Sequence, residues 1–157
     1  MTGSAKATGC IFCDAVDAAG QSPLLVYRGT TCYVILNLYP YNNGHLMVVP
    51  NRHVATLAAA TPGELGELMA LTRIAEMALA EAYQPHGLNV GINLGKAAGA
   101  GVLDHLHVHI VPRWSGDTNF MTALGDVRVL PEDLAESAGR LRPVFERLAG
   151  EAKQPIT

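Results

Sequence analysis

Three histidines alternate with apolar residues in the segment His105-Leu106-His107-Val108-His109-Ile110-Val111. In extended backbone successive side chains point to opposite faces, so the imidazoles would line one face about 6.6 Å apart. Leu106, Val108 and Ile110 would then bury on the other. Solvent-facing strand positions usually hold Thr, Lys, Glu or Ser, so a polar face made only of His points to chemistry. Two chemistries need such a row. One is a metal site, on which imidazole nitrogens converge. The other is phosphoryl or nucleotidyl transfer, in which a neutral imidazole attacks phosphorus while imidazolium neighbours stabilise phosphate charge and protonate a leaving group. His107, flanked by donors on both sides, is best placed to attack. A second cluster begins at Cys10-x-x-Cys13, which reads as half of a metal site or as a redox pair. Redox pairs usually open a helix after a strand, and no strand signal precedes Cys10, which favours metal. Cys32, in an apolar run, reads as a buried strand residue.

The elements that must position these groups follow from periodicity. Leu24–Arg28 and Thr31–Asn37 are rich in Val, Ile and Tyr and read as a hairpin across Gly29-Thr30. Tyr39-Pro40-Tyr41-Asn42-Asn43-Gly44 is a turn, and His45–Val49 a strand closed by Pro50. Thr61-Pro62-Gly63-Glu64 carries a capping box and a first-turn proline, so a helix starts there. Leu65, Leu68, Thr72, Ala75, Leu79 and Ala82 give it one buried stripe, and Pro85-His86-Gly87 ends it. Leu88, Val90, Ile92 and Leu94 alternate with Asn89, Gly91 and Asn93 as a strand with one oily and one polar face. Gly95–Gly101 is a small-residue loop, and His105–Val111 a strand closed by Pro112. A last helix starts near Pro131, with Leu134, Ala138, Leu141, Phe145 and Leu148 on one side and a break expected at Pro143. The sum is an α+β fold with a mainly antiparallel sheet of about five strands, one long helix and a C-terminal helix.

Composition bounds the rest. The 157 residues suit one domain, with a core from Cys10 to about Leu148 and flexible ends over residues 1–8 and 150–157. Eleven Lys and Arg against fourteen Asp and Glu leave a net charge of −3, with no basic run, which argues against a long nucleic acid as partner. The stretch Gly29–Asn51 lacks charge, but Asn37, Pro40, Asn42, Asn43, Gly44 and His45 interrupt it, so it is not a membrane span. The first nine residues show no apolar signal segment, and a cytoplasmic location is the expectation.

Together with Cys10-Ile11-Phe12-Cys13, Asn37, Gly44-His45-Leu46-Met47-Val48-Val49-Pro50, His53 and Asn93-Leu94-Gly95, the histidine run resembles the histidine triad (HIT) superfamily of nucleotide hydrolases and transferases. Asn37–Asn42 and Pro112–Phe120 look most like the branch of diadenosine tetraphosphate phosphorylases and dinucleoside polyphosphate hydrolases. The resemblance implies a HIT-like fold and cleavage of dinucleoside polyphosphates through a covalent nucleotidyl-histidine on His107. His109 would contact the phosphate and help protonate the leaving group, and His45 would support the same site. It implies that Asn37 meets the ribose, and that Asn93, Gly99, Ala100, Gly101 and His109 bind the nucleotide. Cys10, Cys13, His53 and His105 would hold a structural zinc ion, filling a Cys₂His₂ shell. Many hydrolases of the family carry Gln, Ser or Thr three or four residues before the first His, where this chain has Gly101 and Val102. That leaves room for a second anion and favours phosphorolysis over hydrolysis. A nucleoside phosphoramidase and a nucleotide-binding regulatory module are the alternatives. The resemblance also implies a homodimer, through the long helix and an edge strand.

Overall fold

The computed structural model describes residues 9–17, 22–100, 104–117 and 132–153. Its elements are α1 (Ile11–Asp17), β1 (Leu25–Arg28), β2 (Cys32–Leu36), β3 (Leu46–Pro50), α2 (Pro62–Tyr83), β4 (Gly87–Ile92), a 3₁₀ turn (Lys96–Ala98), β5 (Val108–Arg113) and α3 (Leu134–Ala152). The five strands form one antiparallel sheet in the order β1-β2-β3-β5-β4.

The sheet is covered on both faces over its middle, which is why every residue of β2 and β3 is buried. Val34, Leu36, Leu46, Val48, Leu106, Val108 and Ile110 point to one face, where α2 and α3 bring Leu68, Leu71, Ala75, Ala78, Leu79, Leu141 and Phe145. Each fully buried Leu or Phe there contributes about 1.5–3 kcal/mol. On the other face Tyr33, Ile35, Met47 and Val49 meet Cys10, Phe12, Cys13 and Ala15 of the α1 segment. The Tyr33 hydroxyl donates to the Phe12 carbonyl at 2.7 Å, tying that short helix to the sheet. Cys32 is fully buried among the apolar residues of the first face, as its neighbours implied, and burial pushes its thiol up to about 11.

Local chemistry explains the boundaries. Thr61 and Glu64 form the reciprocal capping box at the start of α2, with Pro62 inside the first turn. Gly44 has φ +82°, and a Cβ there would lie 3.0 Å from the Tyr83 ring, so turn and helix end meet only around glycine. At the β1–β2 turn the Glu67 carboxylate accepts from the backbone N–H groups of Thr30, Thr31 and Cys32 at 3.2, 2.7 and 2.7 Å. A side chain on Gly29 would displace that carboxylate.

Several expectations shift. The α1 helix and the 3₁₀ turn are additional, each too short to show a period. Pro50 and Pro112 are themselves paired in the ladders, opposite Cys32 and Leu88; β3 ends on Pro50, as expected, whereas β5 runs one residue past Pro112. A proline lacks only a donor, and their carbonyls accept from the side chains of His105 and Asn42. Regular pairing in β5 begins at Val108, not His105, although the alternation of His and apolar residues survives upstream. In α2, Leu65 is exposed and the buried stripe runs through Leu68, Leu71, Ala75, Ala78 and Leu79. The last helix begins at Leu134, capped by Asp133, and runs unbroken past Pro143 to Ala152. Pro143 and Gly139, whose carbonyl loses its partner, both face solvent, so the unpaired carbonyl is not stranded in the core. Pro131 lies outside the described residues. Among the described residues no helix is long and apolar enough to cross a membrane.

Candidate active site and metal centre

His45, Met47 and Val49 share the sheet face of His109, because β3 and β5 pair Met47 with His109. His45 is fully buried at the entry to β3. Its Nδ1 lies 3.2 Å from the Tyr41 backbone N–H, which can only donate. The His45 proton therefore sits on Nε2, which lies 2.9 Å from His109 Nδ1. His109 thus accepts at Nδ1 and carries its proton on Nε2. His107 is set the other way: its Nδ1 is 2.9 Å from the His105 carbonyl, which can only accept, so Nε2 holds a bare lone pair. The two rings are 4.6 Å apart, near perpendicular, and Phe12 packs against His107 at 4.8 Å. A nucleophilic nitrogen and an N–H donor stand side by side.

Burial first, then the neighbouring imidazoles, pushes His45 down to about 4; His109 reaches about 4 through burial and His107. His107 is also lowered by burial, opposed by its bond to the His105 carbonyl. All three rings are neutral at pH 7. The imidazolium neighbours expected from the sequence are absent from the free site, because charging buried rings beside one another is costly.

Asn37 follows β2. Its Oδ1 accepts from the Tyr39 N–H at 2.9 Å, ending the strand, while its amide nitrogen lies 3.5 Å from His45 Nε2. It therefore both closes the strand and faces the histidines. Asn93 and His109 line one cleft of about 370 Å³. Gly99 and Ala100 differ from expectation: their N–H groups bond to the carbonyls of Lys96 and Gly95, closing the loop on itself. Gly101 lies outside the described residues. The far end of the cleft was not legible in the sequence. There Arg113 is paired with Asp117 at 3.0 Å and reaches Asn89 at 2.7 Å, while Asn42 bonds Asp117 and the Pro112 carbonyl. The Arg113 guanidinium holds the Asp117 carboxyl at about 2. Trp114 is half-buried, His86 contacts Ser115 at the surface, and residues 118–120 lie outside the described residues.

The second cluster is adjacent. One donor atom from each of Cys10, Cys13, His53 and His105 lies within 4.8 Å of the others. The Cys10 Sγ–His105 Nδ1, Cys13 Sγ–His53 Nδ1 and His53 Nδ1–His105 Nδ1 separations are 3.3, 3.3 and 3.2 Å. A tetrahedron with bonds of about 2.0–2.3 Å has edges of about 3.3–3.8 Å, so one ion fits among them. His105 Nε2 donates to the Pro50 carbonyl at 2.8 Å, which leaves the Nδ1 lone pair aimed at the sulfurs. The sequence-expected ligands and triad are both assembled.

An antiparallel sheet with a histidine row on one face and two helices on the other defines a class of proteins, and the comparisons identify it. The HIT domain model matches residues 20–116. A Mycobacterium tuberculosis protein named AP-4-A phosphorylase is 48% identical over 136 residues, spanning 87% of this chain and 70% of its own. The Schizosaccharomyces pombe bis(5'-nucleosyl)-tetraphosphatase (asymmetrical) is 31% identical over 83% of this chain and 70% of its own. A crystal structure of a Zn-bound histidine triad family protein from Mycobacterium smegmatis superposes with a TM-score of 0.71 at 28% identity, covering 91% of this chain and 97% of that one. This chain belongs to the HIT family, and it is an enzyme of that family.

Proposed function

We propose that the protein cleaves dinucleoside polyphosphates, diadenosine tetraphosphate being the model substrate, by two displacements at the α-phosphorus. The observation that carries this reading is the opposed protonation of His107 and His109. The His107 Nε2 lone pair forms the P–N bond as the P–O bond to the outgoing polyphosphate breaks, its electron pair going to that oxygen. The His109 Nε2–H hydrogen-bonds the same oxygen and stabilises its developing charge, with His45 holding the ring, and the polyphosphate leaves as the anion. Asn37 meets the ribose, and Asn93 and His109 meet the phosphates. Inorganic phosphate or water then attacks phosphorus and frees His107.

Phosphate is favoured as the second acceptor. Gly101 and Val102 stand in the sequence where many hydrolases of the family carry a polar residue, and neither supplies one. The 48% identity to a protein named AP-4-A phosphorylase supports this reading, and the similarity to a tetraphosphatase supports water as the competitor. Cys10, Cys13, His53 and His105 would hold zinc, whose closed four-ligand shell fastens α1 to the sheet and leaves no position for substrate. Thiolate ligands suit a reducing compartment, which supports a cytoplasmic location.

A homodimer is also proposed. β4 has one edge unpaired among the described strands, and Val90 on it and Leu94 just past it are 53 and 41% exposed.

The test is product identity. Diadenosine tetraphosphate incubated with inorganic phosphate should yield ADP and ATP, and AMP and ATP without it. Absence of turnover under both conditions would sink the reaction, and AMP as the sole monophosphate-side product in saturating phosphate would replace phosphorolysis by hydrolysis.

A further inference from the structure

The proton positions on His45 and His109 depend on a backbone group outside the regular elements. His45 Nδ1 meets the Tyr41 N–H at 3.2 Å, and Tyr41 lies in the turn between β2 and β3. The ring nitrogen that carries the proton is set by the bond the other one makes. A turn tied down only at its ends would let that N–H leave the ring, and the His45 proton would then sit on either nitrogen. Whatever fixes the turn therefore helps to fix the proton of His109, which His45 meets at 2.9 Å.

One side chain fixes it to β5. The ladder between β3 and β5 stops at Leu46 and Ile110. Two residues further along, the Pro112 carbonyl points to the same side of the strand, where β3 has given way to the turn. Asn42 takes the place of the missing strand. Its Nδ2 donates to that carbonyl at 2.9 Å and to Asp117 Oδ2 at 2.7 Å, so both of its N–H bonds are spent within the protein. The anchor is itself braced: Asp117 accepts from Arg113 at 3.0 Å and from the Trp114 N–H at 2.9 Å, and Arg113 reaches Asn89 of β4 at 2.7 Å. Within the turn, the His45 N–H donates to the Asn42 carbonyl at 3.2 Å. Asn43 ties the turn separately to the residues before α3, its Oδ1 accepting from the Glu132 N–H at 2.8 Å.

We propose that Asn42 is a positioning residue: by clamping the turn to the end of β5 it holds the Tyr41 N–H on His45 Nδ1, and so keeps the His109 proton on Nε2. The Arg113–Asp117 pair supplies the anchor for that clamp. The effect on rate rests on the reaction proposed above, whereas the effect on the protons is a property of the free protein. His107 lies outside this relay, because the His105 carbonyl sets its tautomer from two residues away. Loss of Asn42 is therefore felt at His45 and His109 and not at His107.

The experiment is long-range proton–nitrogen NMR of the imidazoles, without nucleotide, in the wild type, Asn42→Ala and Asn42→Leu. In the wild type, Nε2 of His45 and of His109 should give the signal of a protonated nitrogen and Nδ1 that of a lone pair, with the reverse at His107. In both variants His45 and His109 should move to averaged signals of mixed tautomers while His107 stays fixed. Turnover of diadenosine tetraphosphate should lose roughly tenfold in kcat with KM held, as for a group misplaced and not removed. Leucine keeps much of the volume of asparagine, so equal effects in the two variants assign the loss to the missing donor. Unchanged His45 and His109 signals overturn the proposal, and so does a fall in kcat without them. A leucine variant that behaves as wild type overturns it too, as do changes spread over all three rings with a lowered thermal midpoint. If the tautomers respond as expected and the wild type shows no turnover, the positioning role stands and only the reaction falls.

Discussion

Two histidine clusters lie side by side on one face of this sheet, and they are built oppositely. In the metal centre, Nδ1 of His53 and of His105 and two sulfurs converge on one point, because Pro50 has taken the other nitrogen of His105. In the candidate active site nothing converges: His107 presents a lone pair, His109 presents an N–H, and His109 lines the cleft. The side chain is the same in each. What differs is which ring nitrogen the backbone meets and with what group: a carbonyl on Nε2 of His105, a carbonyl on Nδ1 of His107 and, through His45, an amide for His109. One residue joins the clusters: the His105 ring faces the metal ligands while its carbonyl sets the tautomer of His107.

The largest expected effect that breaks this contrast is His107→Ala. Without a nucleophile, turnover of dinucleotide and trapping of nucleotidyl-protein in acid quench should both vanish, while calorimetry still detects nucleotide binding. His109→Ala should cost less, about 10²–10³ in kcat, the usual range for one preorganised hydrogen-bond donor. Retention of full rate by either variant would show that the opposed tautomers are not used.

Cys13→Ser attacks the other cluster. Metal analysis of the purified variant should show loss of about one zinc per chain, and its thermal midpoint should drop by about 10 °C, the shift for roughly 3–5 kcal/mol in a domain of this size. A variant with full zinc content, or wild-type protein without zinc, removes the metal centre from the comparison. Thioredoxin-like cycling of a Cys10–Cys13 disulfide would replace it by a redox pair.

The smallest effect is a pH dependence that belongs to the active-site rings. His45 and His109 titrate near 4 in the folded protein and near 6.5 when unfolded. Between these values the unfolded chain binds protons that the native rings refuse, so stability falls as pH falls. The contribution is complete above about pH 6.5 and lost on the way down to about 4. Urea midpoints measured from pH 7.5 to 4 should decline across that window, and His45→Asn should flatten the decline. An unchanged slope in that variant would mean that ring burial is not its source.

Much of this was legible in the residues because it depends on local rules. The period-two alternation of His105–Val111 separates imidazoles from core at any register, and the capping box at Thr61 marks a helix start wherever it packs. Cys10, Cys13, His53 and His105 could be named as a ligand set through resemblance. Other features depend on segments far apart in the chain. Arg113, Asp117, Asn42 and Asn89 come from a strand end, two turns and an edge strand, and no spacing relates them. Likewise Glu67, a mid-helix glutamate in the sequence, holds the β1–β2 turn only because α2 crosses it.

The chain by itself determined which residues share a face, since element type and face follow from local periodicity; the ligand set was legible only through resemblance. Tertiary structure alone decided where the protons sit. A lone imidazole has no preferred tautomer strong enough to matter, and its basicity is set by burial and by neighbours. The Pro50 carbonyl reaches His105, and His45 with the Tyr41 N–H behind it reaches His109, only after β3, β5 and the turn before β3 pack together, while the His105 carbonyl sets His107 locally; those contacts give one residue type three different presentations.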